Sequence, residues 1–247
     1  MKVLVTGATG RTGSLALKKL RAVDGISAYG FARSEEKAKD LLGSAENFYF
    51  GSISDRNSIN EAMNGCDALV ILTSAQPQVT PPPAPGAPPG CSFESGGTPE
   101  EVDYQGQLNQ IDAAKAAGVQ HIVLVGSMGG TNENHPLNLF GKILIWKRKA
   151  EQYLIDSGID YTIIRAGGLI DEPGGRSLLV GKNDEMLANP PTEGGTVIPR
   201  EDVAEVVVQA IQHMEARNKA LDVIANASEV TDANDFKALF EKASAGL

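Results

Sequence analysis

The sequence predicts an α/β protein built on one doubly wound parallel sheet, with helices on both faces. Three observations carry that expectation. Short apolar runs alternate with stretches of helical periodicity from the first residue onward. Several runs, such as Ala68-Leu69-Val70-Ile71-Leu72, are apolar throughout, as strands covered on both faces must be. The first run, Val3 to Val5, breaks at glycine and resumes as a helical pattern from Ser14 to Leu20.

The bulk numbers fit one domain, 1–247, with a small C-terminal region on the substrate side. A chain of 247 residues buries a large core, and 42% hydrophobic with 21% charged residues is ordinary for a globular protein. A formal net charge of -9 argues against nucleic acid or an anionic membrane as partner, and leaves a small molecule as the expected one. It does not exclude a local basic pocket for an anionic cofactor. Cys66 and Cys91 are too few for a disulfide framework and read as reduced thiols. No apolar run approaches the roughly 20 residues of a membrane helix, and no signal-peptide pattern opens the chain. The expected setting is the cytoplasm, or an organelle stroma if a transit peptide has been removed. Oligomeric state is not legible, and no metal site is predicted.

The opening turn, Gly7-Ala8-Thr9-Gly10-Arg11-Thr12-Gly13, follows a strand and starts a helix, the context a dinucleotide fingerprint requires. Gly7 permits the tight turn, Gly10 lets backbone approach a pyrophosphate, and Gly13 lets helix and strand pack closely. Free N–H groups at the helix start, here from Thr9 to Gly13, would hold the phosphates. The alternative is a tight βα turn with no ligand. Thr-Gly-x-x-Gly-x-x-Gly resembles the fingerprint of extended and atypical short-chain dehydrogenases/reductases.

The first helix is placed at about Ser14–Val23 and the second strand at Ser27–Ala32. An NAD site usually puts an acid about 20 residues beyond the glycine loop, to bind the ribose 2'-hydroxyl. This chain has Ala32-Arg33-Ser34. A guanidinium and a hydroxyl suit a 2'-phosphate, and Arg11 could add a second cation. NADP(H) is therefore the predicted cofactor; against it, Arg33 is a solvated loop charge.

Helix at Glu35–Leu42, strand at Asn47–Phe50 and helix at Asn57–Met63 follow, with Asp55 as N-cap. The strand Ala68–Ala75 ends at Thr73, Ser74 and Ala75, where ligands bind in an open parallel sheet, so that backbone should pass the adenine ribose. Residues 76–99 are proline-rich and exclude a helix or central strand. They are read as a lid over the site or as a mobile surface loop. Glu100–Ala117 reads as a helix and Gln120–Gly126 as a strand, with His121 at its start assigned a structural role. A basic amphipathic helix spans Leu144–Leu154. Gly158–Gly168 holds a strand ending in glycines, and 170–198 are substrate-side loops and short strands. A helix from Pro199, a strand Leu221–Ile224 and a helix Asp232–Ala243 complete the pattern.

Lys147-Arg148-Lys149-Ala150-Glu151-Gln152-Tyr153-Leu154 and Arg200-x-Asp202-Val203-Ala204 also resemble segments of the atypical, NmrA-like short-chain dehydrogenases/reductases, which include uncharacterised plant and cyanobacterial members. The resemblance covers essentially the whole chain and implies a Rossmann fold. It implies that Ser52, standing where the family often has Asp, and Ile53 lie near the adenine. It implies that Ser127 polarises a substrate carbonyl, that Lys147 binds the nicotinamide ribose, and that Ala166, Gly167 and Gly168 line the nicotinamide end. Asn109 stands where the family commonly has Asn, or is a helix-surface amide. Arg165 is expected to brace the fold.

One departure bears on chemistry. Four residues before Lys147 the chain has Ile143, not Tyr, and an alkyl group cannot donate a proton. Lys147 is then ribose ligand, general acid or both, or else a solvated cation. Two functions stay open: an NADPH-dependent reductase of a small, flat carbonyl or enone, and a non-catalytic NADP(H)-binding regulator.

Overall fold

The computed structural model describes residues 1–82, 90–191, 194–230 and 234–246. The strands are β1 (Lys2–Thr6), β2 (Ser27–Ala32), β3 (Phe48–Phe50), β4 (Ala68–Ile71), β5 (Gln78–Thr80), β6 (Gly90–Ser92), β7 (His121–Ser127), β8 (Asp160–Ala166), β9 (Gly168–Ile170), β10 (Arg176–Gly181), β11 (Val197–Pro199) and β12 (Lys219–Val230). The helices are α1 (Arg11–Arg21), α2 (Glu35–Leu42), α3 (Arg56–Met63), α4 (Gly106–Ala117), α5 (Ile143–Asp156), α6 (Glu185–Ala188), α7 (Arg200–Gln212) and α8 (Phe236–Lys242).

An eight-stranded sheet runs β10-β12-β8-β7-β4-β1-β2-β3. Every pairing in it is parallel except that of β10 with β12. The period-2 geometry of strands divides the core into two layers. Val3, Val5, Val70 and Val123 face a layer that includes Leu17 of α1 and Val207 of α7. Leu4, Leu69, Ile71 and Leu124 face the other, which includes Ile59 of α3, Ile111 of α4 and Leu154 of α5. The chain leaves β1 toward β2 on one side and pairs with β4 on the other, so the topological switch point lies at the carboxyl ends Thr6 and Ile71.

Several boundaries differ from the sequence reading, each for a physical reason. α1 starts at Arg11, three residues early, so Arg11, Thr12 and Gly13 form its first turn. β4 stops at Ile71 because its partner β1 ends there; residues 72–75 continue as a strap beyond the ladder, its first N–H, from Leu72, still donating to the Thr6 carbonyl at 3.2 Å. The Pro-rich stretch contains a short antiparallel hairpin, β5–β6, whose tip at 83–89 lies outside the described residues. Glu100–Gln105 is a π-helical turn leading into α4. Among the short strands expected in 170–198, β10 joins the central sheet, against a β12 longer than expected. α8 starts at Phe236, capped by the Asp235 carboxylate, whereas the expected start at Asp232 lies outside the described residues.

Candidate cofactor and active site

The glycine turn is shaped by contacts that exclude side chains. Gly7 has φ +69°, and a Cβ on it would lie 2.6 Å from the Leu72 carbonyl oxygen. A Cβ on Gly13 would lie 2.1 Å from the Gly7 carbonyl oxygen. Both contacts are with backbone, which cannot rotate aside. Gly10 is the N-cap of α1 and supplies no side-chain cap, and the first turn carries no acid. Its N–H groups and the positive end of the helix dipole thus remain available to an anion. In this turn Ala8 packs into the core, while the candidates Thr9 and Thr12 stay partly exposed. This donor set and close backbone approach fit a pyrophosphate.

Arg33 projects into solvent just past β2. Ser34 is the N-cap of α2, its Oγ accepting from the Lys37 N–H at 3.1 Å, which leaves its hydroxyl hydrogen free to donate. Arg11 does not join Arg33. It is ion-paired with Asp171, which also binds Arg200 at 2.8 Å. A cavity of about 330 Å³ beside that cluster is lined by Leu15, Ile170, Asp171, Pro173 and Arg200 among others.

The segment after β3 is fixed from α4. Asn109 is buried rather than a surface amide: its Nδ2 donates to the Ile53 carbonyl at 3.0 Å and its Oδ1 accepts from Arg56 at 3.2 Å. Ser52 Oγ lies 2.8 Å from Ser54 Oγ. The strap after β4 is held from the same helix and from the π-helical turn before it. Gln110 Nε2 donates to Thr73 Oγ1 at 3.3 Å, and the Ala75 N–H donates to Asp103 Oδ2 at 2.9 Å. Ser74 is held through its carbonyl by the Gln76 side chain.

Asp103, on the π-helical turn, reaches further. Its Oδ1 lies 2.7 Å from Lys147 Nζ, with side-chain exposures of 0% and 10% for the acid and the lysine. Lys147 is therefore a buried, paired ammonium and not a solvated cation. The adjacent rung is aromatic, Tyr104 facing Trp146 at 5.5 Å between ring centroids. Tyr153 cannot replace the missing phenol, because its hydroxyl donates to Asp112 at 2.6 Å. One turn beyond Asp103, Gln107 is 1% exposed, and neither amide atom has a partner among the described residues.

Ser127 ends β7 and stands opposite Ala166 at the end of β8. Its hydroxyl donates to the Met128 carbonyl at 3.0 Å, so that hydrogen must swing away to polarise an acceptor. The turn that follows is clamped by Asp184, which accepts from the Gly129 N–H at 2.6 Å and from the Thr131 N–H and hydroxyl at 2.9 and 2.7 Å. Burial pushes the Asp184 carboxyl up, but those three donors leave it below its ordinary value. Asp222 in turn accepts from the Asp184 N–H. Arg165 braces this assembly as expected, at 2.9 Å from Glu151 and 3.6 Å from Asp222. Burial pushes both of those carboxyls up. The Gly167 and Gly168 N–H groups donate to the Val223 and Thr196 carbonyls, and a Cβ on Gly167 would meet Thr196 oxygen at 2.4 Å.

Asp103, Gln110 and Asp184 are the residues that sequence reasoning passed over. Two of them had a signal: Asp103, Gln107 and Gln110 are spaced i, i+4, i+7, which puts three polar groups on one stripe of a helix. Asp184 had none, lying in a stretch without periodicity.

Residues 7–214 match a family described as NAD(P)H-binding. An uncharacterised chloroplastic protein of Arabidopsis thaliana is 56% identical over 97% of this chain and 74% of its own length. Sanguinarine reductase of Eschscholzia californica is 48% identical, over 98% of this chain and 96% of that protein. The crystal structure of an oxidoreductase from Lactococcus lactis superposes with a TM-score of 0.74 at 20% identity, covering all of both chains, which shows the fold. No helix among the described residues is long and apolar enough to cross a membrane. The chain belongs to the NAD(P)H-binding family and is an NAD(P)-dependent oxidoreductase of Rossmann fold.

Proposed function

We propose that the protein is an NADPH-dependent reductase of a small, flat carbonyl or enone. The observation that carries this reading is Lys147, a buried ammonium on α5, whose helix packs against the strand that ends in Ser127. The glycine turn and the uncapped start of α1 would hold the pyrophosphate; Arg33 and Ser34 would hold the 2'-phosphate. Ser52, Ile53 and the Thr73–Ala75 strap would flank the adenosine half, and Ala166, Gly167 and Gly168 the nicotinamide. Bound there, NADPH supplies a hydride. Lys147 holds a ribose hydroxyl; Ser127 turns its hydrogen from Met128 to the acceptor oxygen and polarises it. The proton that completes reduction comes from the Lys147 ammonium or the Ser127 hydroxyl, in place of a tyrosine.

The proposal also has the 76–99 stretch cover the site. In its support, Phe93 and Pro99 pack so closely on Gly141 that a Cβ there would lie 2.9 Å from the Pro99 ring. The end of the loop after β4 thus meets the segment after β7. An aqueous setting for the protein, cytoplasm or an organelle stroma, is part of the same proposal, and the chloroplastic Arabidopsis relative supports the organelle.

Titration with NADPH, NADP+, NADH and NAD+ tests it, read through Trp146, the only tryptophan. The phosphorylated forms should bind more tightly, and Arg33→Ala should erase about tenfold or more of that preference, the loss of one charge-assisted contact. An unchanged ratio would remove Arg33 from the site. A turnover screen with sanguinarine, quinones and enones then follows NADPH oxidation. Binding of one redox state with no turnover of any acceptor would favour a regulator.

A further inference from the structure

We infer that Asp103 is the positioning residue of this active site: one buried carboxylate that sets Lys147 and the adenosine-side strap in register. The inference deepens the function proposed above and rests on that reading of Lys147. Each oxygen of Asp103 has a separate task. Oδ2 accepts the Ala75 N–H at 2.9 Å, and Oδ1 faces the Lys147 ammonium at 2.7 Å. Ala75 continues β4, at the switch point, whereas Lys147 comes from α5, which packs against β7. One carboxylate therefore ties the segment that continues β4 to the helix that packs on the neighbouring strand β7.

The carboxylate is itself rigidly presented. It is 0% exposed and sits on a π-helical turn, a rare form that is frequent at functional sites. The start of that turn is closed by a reciprocal cap: the Glu101 carboxylate accepts from the Thr98 N–H at 3.1 Å, and Thr98 Oγ1 accepts from the Glu101 N–H at 3.3 Å. The neighbouring Tyr104–Trp146 contact repeats the same connection between this turn and α5. A lysine brought this far from water without a counter-charge would be costly to bury. Asp103 offsets that cost by proximity: the 2.7 Å contact is an ion pair and not an aligned hydrogen bond, so it holds the ammonium in place beside Oδ1. In the usual tyrosine-lysine arrangement an aromatic hydroxyl one helical turn away shares this space; here Ile143 occupies that position.

Asp103→Asn separates the two tasks, because the amide oxygen still accepts from Ala75 while the charge facing Lys147 is gone. Two ligands report on the two halves of the site: NADP+, and adenosine 2',5'-bisphosphate, which lacks the nicotinamide riboside. Affinities are measured by Trp146 fluorescence and by calorimetry, with circular dichroism confirming the fold. NADP+ should bind Asp103→Asn about tenfold more weakly, the scale of one charge-assisted contact. Adenosine 2',5'-bisphosphate should stay within about twofold. If Asp103→Asn fails to fold, Asp103→Glu keeps the charge, displaces it by one methylene and leaves Lys147 in place, and should show the same selective loss. Equal loss for both ligands would make Asp103 a merely structural residue, and unchanged affinity for both would remove it altogether; either overturns the inference. Failure of the unaltered protein to bind either ligand would instead overturn the proposed function.

Discussion

Lowering the pH should destabilise this protein through one buried histidine, and the structure sets the size of the effect. His121 is 3% exposed at the start of β7. Its Nε2 lies 2.9 Å from Thr162 Oγ1, and that hydroxyl donates its single hydrogen to the Ala216 carbonyl at 2.7 Å. Thr162 must therefore accept from His121, which fixes the proton on Nε2. Burial pushes the imidazole pKa down to about 4; Arg217 adds to the effect and Asp160 opposes it. In the unfolded chain the value is about 6.5. The folded form is the one that resists protonation, so stability is full above the unfolded value and is lost as the pH falls toward the folded one. The whole span is worth about 3 kcal/mol, of which about 2 kcal/mol is lost by pH 5. Urea unfolding at pH 7.5 and pH 5, for the protein and for His121→Gln, measures it. Glutamine can still donate to Thr162 but does not titrate. Glu151, Asp202 and Asp222, whose carboxyls burial raises, drift the opposite way in both proteins and cancel in the comparison. Parallel losses of stability in the two proteins would refute the reasoning.

Gly13→Ala should fold with about 1–3 kcal/mol less stability, from a methyl forced against the Gly7 carbonyl, and should lose most of its affinity for NADP+; unaltered binding would show that the turn does not cradle the phosphates. Gln107→Leu replaces an amide that has no partner among the described residues, and should raise the melting temperature by about 2–4 °C, corresponding to about 1 kcal/mol. A fall instead would mean that the amide is satisfied by a contact the fold retains. Limited proteolysis between residues 76 and 100 should slow when NADPH is added; identical cleavage with and without it counts against a lid.

Most of the fold was legible because it rests on local signals. Val3–Val5 and Ala68–Ile71 announce buried strands by unbroken apolarity, and the glycine spacing at 7, 10 and 13 marks a tight turn in which a side chain at Gly7 or Gly13 would meet backbone. Arg33, in place of an acid after β2, is likewise read from one position. Asp55 caps its helix as expected, because an Asx cap is a contact between residues two apart. What one dimension could not show is any pairing between distant segments. The long strand β12 pairs on one side with β8 and on the other with β10, although nothing in the sequence of 170–198 marks β10 as a member of the central sheet.

The site divides along the same line. The sequence by itself determined its inventory: a glycine turn proposed to hold phosphates, an arginine proposed for the 2'-phosphate, Ser127 at a strand end, and Lys147 without its tyrosine. Tertiary structure alone decided which of those groups stand in water and which are buried. Lys147 lies among three adjacent cations in the sequence, and nothing local distinguishes it from Arg148 or Lys149. It is buried because the π-helical turn, 44 positions earlier, brings Asp103 against it. Arg11, by contrast, is drawn to Asp171 across 160 positions. Charges reach one another through the fold and not along the chain, and a buried charge is tolerable only where such a partner arrives.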